Sequence, residues 1–104
     1  MSLMVKPGTR LFSAVCSTEM IAVKAPGALI DVTIGGATPV AAAADRQSGG
    51  TVAAGHDGGA LMGKRYVDAD DTIELLCTKP GPGVPALAGV LLELKDAKPM
   101  PASD

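Results

Sequence analysis

Glu19-Met20-Ile21-Ala22-Val23-Lys24-Ala25-Pro26-Gly27-Ala28-Leu29-Ile30-Asp31-Val32-Thr33-Ile34 is the stretch that decides the fold class. In an extended chain Ile30, Val32 and Ile34 share one face while Leu29, Asp31 and Thr33 share the other. That period of two is the signature of a half-buried strand. Glu19–Lys24 adds a second short apolar run, with Met20, Ile21 and Val23. Between them, Pro26-Gly27 supplies the two central residues of a type II turn, because Gly accepts the positive φ required there. The expectation is a hairpin over 19–34.

Outward from this unit the chain keeps its β character. A lead-in, 1–8, is followed by a strand-like segment, 9–16. Arg65–Val67 reads as a strand, and 72–77 as another with Ile73, Leu75 and Cys77 on one face. Lys79-Pro80-Gly81-Pro82-Gly83 breaks any regular element. The segment 90–95 forms the last strand, Leu92 and Leu94 opposing Glu93 and Lys95, and the Pro-containing tail 99–104 lies on the surface. By contrast, 35–63 holds eight of the thirteen glycines and the run Ala41-Ala42-Ala43-Ala44. Pro39 and Ser48-Gly49-Gly50 limit any helical turn there, and 51–53 is its candidate for a short strand. The segment reads as a long surface excursion, with 41–62 as its flexible part.

A weak repeat runs through this pattern. Gly8-Thr9-Arg10-Leu11-Phe12 resembles Gly63-Lys64-Arg65-Tyr66-Val67, and Val15-Cys16-Ser17 resembles Leu76-Cys77-Thr78. Val32-Thr33-Ile34 leads into Ala37-Thr38-Pro39-Val40 as Leu92-Glu93-Leu94 leads into Ala97-Lys98-Pro99-Met100. The matches keep their order, which favours two pseudo-symmetric halves, 8–40 and 63–100. The rival explanation is chance resemblance in a chain rich in Gly, Ala and Val. The fold expected is a mainly β single domain spanning 1–104, a small barrel or sandwich whose paired strands cover one another's edges.

Composition narrows the function. Of 104 residues, 47% are hydrophobic but only Phe12 and Tyr66 are aromatic. The core must be aliphatic, with few rigid rings for stacking. A net charge of −2 without any Lys/Arg cluster argues against nucleic-acid binding. No apolar run reaches bilayer length, so membrane insertion is not expected. The first ten residues lack the apolar segment of a signal peptide, which makes a cytoplasmic location the expectation.

The candidate chemical groups are few. Cys16 and Cys77 read most simply as small buried residues in a reducing compartment. With His56 they would offer zinc two sulfurs and one nitrogen, although no Cys-x-x-Cys knuckle organises them. His56, the sole histidine, lies in Gly55-His56-Asp57-Gly58-Gly59, where Asp57 is placed to orient the imidazole of a ligand-facing loop. Its plainer reading is a solvated loop side chain. Arg10 and Arg65 hold matching places in the repeat and suit a carboxylate or phosphate ligand. Asp68, Asp70 and Asp71 lack the Gly and the twelfth-position Glu of a calcium loop and read as a polar turn.

No catalytic set is complete. The leading expectation is therefore a non-enzymatic binding or oligomerisation module, a homo-oligomer or accessory subunit for a protein partner, with no cofactor. One alternative is a metalloprotein or enzyme using His56, Asp57 and a cysteine. Another is a carrier of a small apolar ligand.

Overall fold

The computed structural model describes residues 2–46 and 50–95. Ten strands follow one another: β1 Leu3–Val5, β2 Arg10–Phe12, β3 Glu19–Lys24, β4 Ala28–Ile30, β5 Val32–Ile34, β6 Arg65–Val67, β7 Glu74–Lys79, β8 Pro85–Leu87, β9 Val90–Leu91 and β10 Glu93–Leu94. The described residues are all-β, with one 3-10 turn at Ala43–Asp45 and no α-helix. They form three antiparallel sheets, ordered β10-β6-β7-β3-β2, β5-β8-β9 and β1-β4. No barrel closes among them, which corrects that part of the expectation.

The hairpin expected over 19–34 does not form. Both edges of β3 are already taken, by β2 and β7, so β4 pairs with β1 instead. The Pro26-Gly27 turn is present, with Gly27 at φ +69°, but it carries the chain from one sheet to another. The single strand expected over 28–34 is likewise two. It divides at Asp31 because β4 serves β1 while β5 serves β8. The apolar alternation survives this corner, with Val32 and Ile34 fully buried and Leu29 exposed. The strand expected over 90–95 divides at Leu92 for the same reason, β9 joining β8 and β10 joining β6. Leu92 is buried, whereas Leu94, expected on its face, is half exposed at the sheet edge.

Within the large sheet, two hairpins carry the same register. Arg10, Leu11 and Phe12 oppose Ile21, Met20 and Glu19, and Arg65, Tyr66 and Val67 oppose Leu76, Leu75 and Glu74. The offset between them is a constant 55 residues (10 to 65, 21 to 76). At the same offset, Gly8 N and Ala22 N bond to Ala22 O and Thr9 O, as Gly63 N and Cys77 N bond to Cys77 O and Lys64 O. Where the hairpins meet, Ile21 opposes Leu76 at the centre, with the pairs Glu19/Lys79 and Lys24/Glu74 at the two ends beyond register shifts. Cys16 does not share this register with Cys77. It lies in the turn between β2 and β3, and the counterpart of Cys77 is Ala22. The repeat segment 97–100 and the tail 99–104 lie outside the described residues.

One face of the large sheet builds the core. Leu11, Met20, Ala22, Tyr66, Leu75 and Cys77 pack with Ile73, Val5, Val32, Ile34 and Leu92. The face expected at 72–77 is seen, since Ile73, Leu75 and Cys77 are all buried, but the strand itself runs Glu74–Lys79 and Ile73 lies just before it. In the Gly-rich region no strand forms at 51–53. Ala53 N instead bonds to Gly35 O, Val84 N to His56 O, and Gly59 N to Pro82 O.

Candidate functional site

The outer face of the large sheet holds the most chemistry. Cross-strand pairing sets Arg10, Ile21, Leu76 and Arg65 in one row over β2, β3, β7 and β6. Paired residues share a face, and adjacent strands are about 4.8 Å apart. The two arginines therefore stand about 14 Å apart at their backbones, three strand spacings, and do not flank one small anion.

Their surroundings differ despite the shared register. Arg65 Nη1 donates to Glu74 Oε2 at 3.0 Å, and Lys95 Nζ donates to Glu74 Oε1 at 3.0 Å. Burial pushes the Glu74 carboxyl up, but these two cations outweigh it and hold the group below its ordinary value. In the β2–β3 hairpin the corresponding carboxylate, Glu19 of β3, is taken by a different arginine. Arg46 Nη2 donates to Glu19 Oε2 at 2.9 Å, while its Nε donates to Ser13 O at 3.0 Å. Lys79 Nζ stands 4.0 Å from the same Glu19 oxygen. Arg10 has no hydrogen bond or ion pair from its side chain among the described residues.

Arg10 opens instead onto a cavity of about 330 Å³, lined also by Phe12, Glu19, Met20, Ile21, Thr78 and Lys79. Phe12 is on the same outer side, two residues along β2 and opposite Glu19. The cavity thus combines an unpaired guanidinium, a half-buried apolar wall and a carboxylate already matched by two cations. A second cavity of about 220 Å³ lies over Leu87, Val90, Leu91 and Leu92, beside Asp68 and Asp70.

The remaining candidates fall elsewhere. His56 is held through its backbone, its N–H donating to Ala53 O at 3.0 Å. Its Nδ1 is buried without a hydrogen-bond partner among the described residues, and Asp57 beside it is exposed. Cys16 Sγ lies 3.1 Å from Ser13 Oγ and 3.3 Å from Thr18 Oγ1. Burial raises this thiol, but hydroxyls able to donate to the thiolate prevail and leave it below its ordinary value. Burial pushes the Cys77 thiol up. Among the described residues no three His, Cys, Asp or Glu side chains gather to hold a metal ion, so Cys16, Cys77 and His56 do not form such a group. Asp68 is a turn residue as expected, its Oδ1 accepting from Thr72 N and Ile73 N.

Sequence reasoning singled out Arg10 and Arg65, which the fold sets at matching register positions, but not Arg46, Glu19, Glu74 or the Phe12–Ile21 wall beside them. The only available signal was that Glu19 and Glu74 follow Arg10 and Arg65 at equal spacing. Comparison of the chain with protein-family models, with curated proteins and with solved structures gives no match. No helix among the described residues is long and apolar enough to cross a membrane.

Proposed function

We propose that this protein is a non-enzymatic binding module that self-associates through an apolar strand surface. The carrying observation is on the β1–β4 ribbon. Met4 and Leu29 stand directly opposite one another and are 49% and 66% exposed, while Val5 on the other side is fully buried. A two-stranded ribbon with apolar residues on both faces is stable when its outer face is covered too. A second copy supplies the same surface, as an isologous dimer requires. The common register of β2–β3 and β6–β7, with Ile21 opposite Leu76, supports a body of two pseudo-symmetric halves.

The test is native mass spectrometry of untagged protein over a wide concentration range. Dimer or higher oligomer is expected, with reversion to monomer in a Met4→Lys/Leu29→Lys double variant. A wild-type chain that stays monomeric throughout removes this reading. The same spectrum weighs the competing functions: a retained apolar mass favours a carrier using the cavity beside Val90 and Leu91. Stoichiometric zinc favours a metalloprotein.

A further inference from the structure

We infer that the cavity beside Arg10 is a binding site for a small organic anion, with a carboxylate or phosphate-ester head and a short hydrocarbon body. The argument is an internal comparison. Arg10 and Arg65 occupy the same register position in two hairpins, and each is followed at the same spacing by a glutamate, Glu19 or Glu74. Arg65 is neutralised by Glu74 at 3.0 Å. The equivalent contact is absent at Arg10, and Glu19 is instead engaged through Oε2 by Arg46, which reaches it at 2.9 Å. Arg10 thus presents to the 330 Å³ space a guanidinium without a side-chain hydrogen-bond or ion-pair partner among the described residues.

A guanidinium presents a planar fork that matches the two oxygens of a carboxylate or phosphate. The rest of the space decides what accompanies that head. Phe12 and Ile21 flank Arg10 on the same sheet face, and Met20 lies beneath them, so the body facing them is apolar. The volume is at the small end of ligand sites, which suits a chain of a few carbons. Glu19 also lines the cavity and would repel an anion if it were unpaired. Arg46 at 2.9 Å and Lys79 at 4.0 Å offset that charge, and Lys79 adds a second cation at the rim. The site stands whether or not the chain self-associates.

The experiment is titration of the full chain with hexanoate, hexyl phosphate, inorganic phosphate and 1-hexanol, followed by the Arg10 Nε–Hε resonance and by calorimetry. Saturable binding of hexanoate or hexyl phosphate is expected, about tenfold or more tighter than inorganic phosphate or hexanol. The tighter of the two identifies the head group. Arg10→Gln is expected to weaken it about tenfold or more, and Arg65→Gln to leave it within about twofold. The Arg10 side chain makes no hydrogen bond or ion pair among the described residues, so its variant is expected to keep the wild-type spectrum. Equal affinity for inorganic phosphate, equal affinity for hexanol, or an Arg10→Gln protein that binds as well as wild type would each overturn the inference.

Discussion

Arg65 Nη1 lies 3.0 Å from Oε2 of Glu74, a carboxylate whose side chain is only 6% exposed and which also receives Lys95 at 3.0 Å. Burial alone would raise this group, and the two cations bring it below its ordinary value near 4.5. A carboxyl lowered in the folded state contributes stability above its unfolded value and loses it as pH falls through the folded one. Chemical denaturation across acidic pH should therefore show stability falling from about pH 4.5 downward. Glu74→Gln should flatten that limb and cost about 2 kcal/mol at neutral pH, since both cations remain half exposed. An unchanged acid limb in the variant would contradict this account.

Arg46 is expected to be the most costly surface arginine to remove. It ties Ser13 O, Ser17 O and the Glu19 carboxylate into one turn, at 3.0, 3.4 and 2.9 Å. Loss of these partly buried, charge-assisted bonds in Arg46→Gln should cost about 2 kcal/mol in urea unfolding. Lys24→Gln makes the contrast, because the Lys24–Asp71 pair is more than half exposed on both sides. That change should cost less than about 0.5 kcal/mol.

Gly81 sits where a side chain has no room. An added Cβ would stand 2.6 Å from Thr18 N and 2.7 Å from Ser17 Oγ, and backbone cannot step aside cheaply. Gly81→Ala should lower stability by about 2–3 kcal/mol. Gly89 has nothing within 4 Å but a φ of +82°, so Gly89→Ala should cost only about 1 kcal/mol, for strain. Thermal melts of the two variants give the comparison, and equal losses would argue against the packing explanation.

The two thiols should separate in kinetics. Cys16 is partly exposed, and hydroxyls of Ser13 and Thr18 favour its thiolate despite the burial that opposes it. Cys77 is buried, and that burial raises it. Titration with an aromatic disulfide near pH 8 should label Cys16 first and leave Cys77 for unfolding. Cys16→Ser should abolish the fast phase. A fast phase that survives would reverse the assignment.

How far the chain could be read depended on the range of each interaction. β3 and the Leu75-Cys77 face of β7, continued by Ile73 before it, were legible because alternation and flanking breakers act within a few residues. The Arg10 and Arg65 strands were legible through their similar surroundings. The pairing of 28–30 with Leu3–Val5 was not, since a strand's edge shows no preference until its neighbours have been placed. Arg46 was unreadable for the same reason: it acts on Ser13 and Glu19 across a turn that only the folded chain closes.

The amino-acid order by itself determined an aliphatic, all-β protein with breaks at Pro26-Gly27 and 80–83, because period-two burial and restricted φ angles are local properties. Only the tertiary structure decided that the described residues form three sheets without a closed barrel, and that 28–34 and 90–95 each turn a corner between sheets. It also decided which arginine lacks a side-chain partner among the described residues. Arg10 and Arg65 look alike along the chain, and their difference arises from where Arg46 comes to rest beside Glu19.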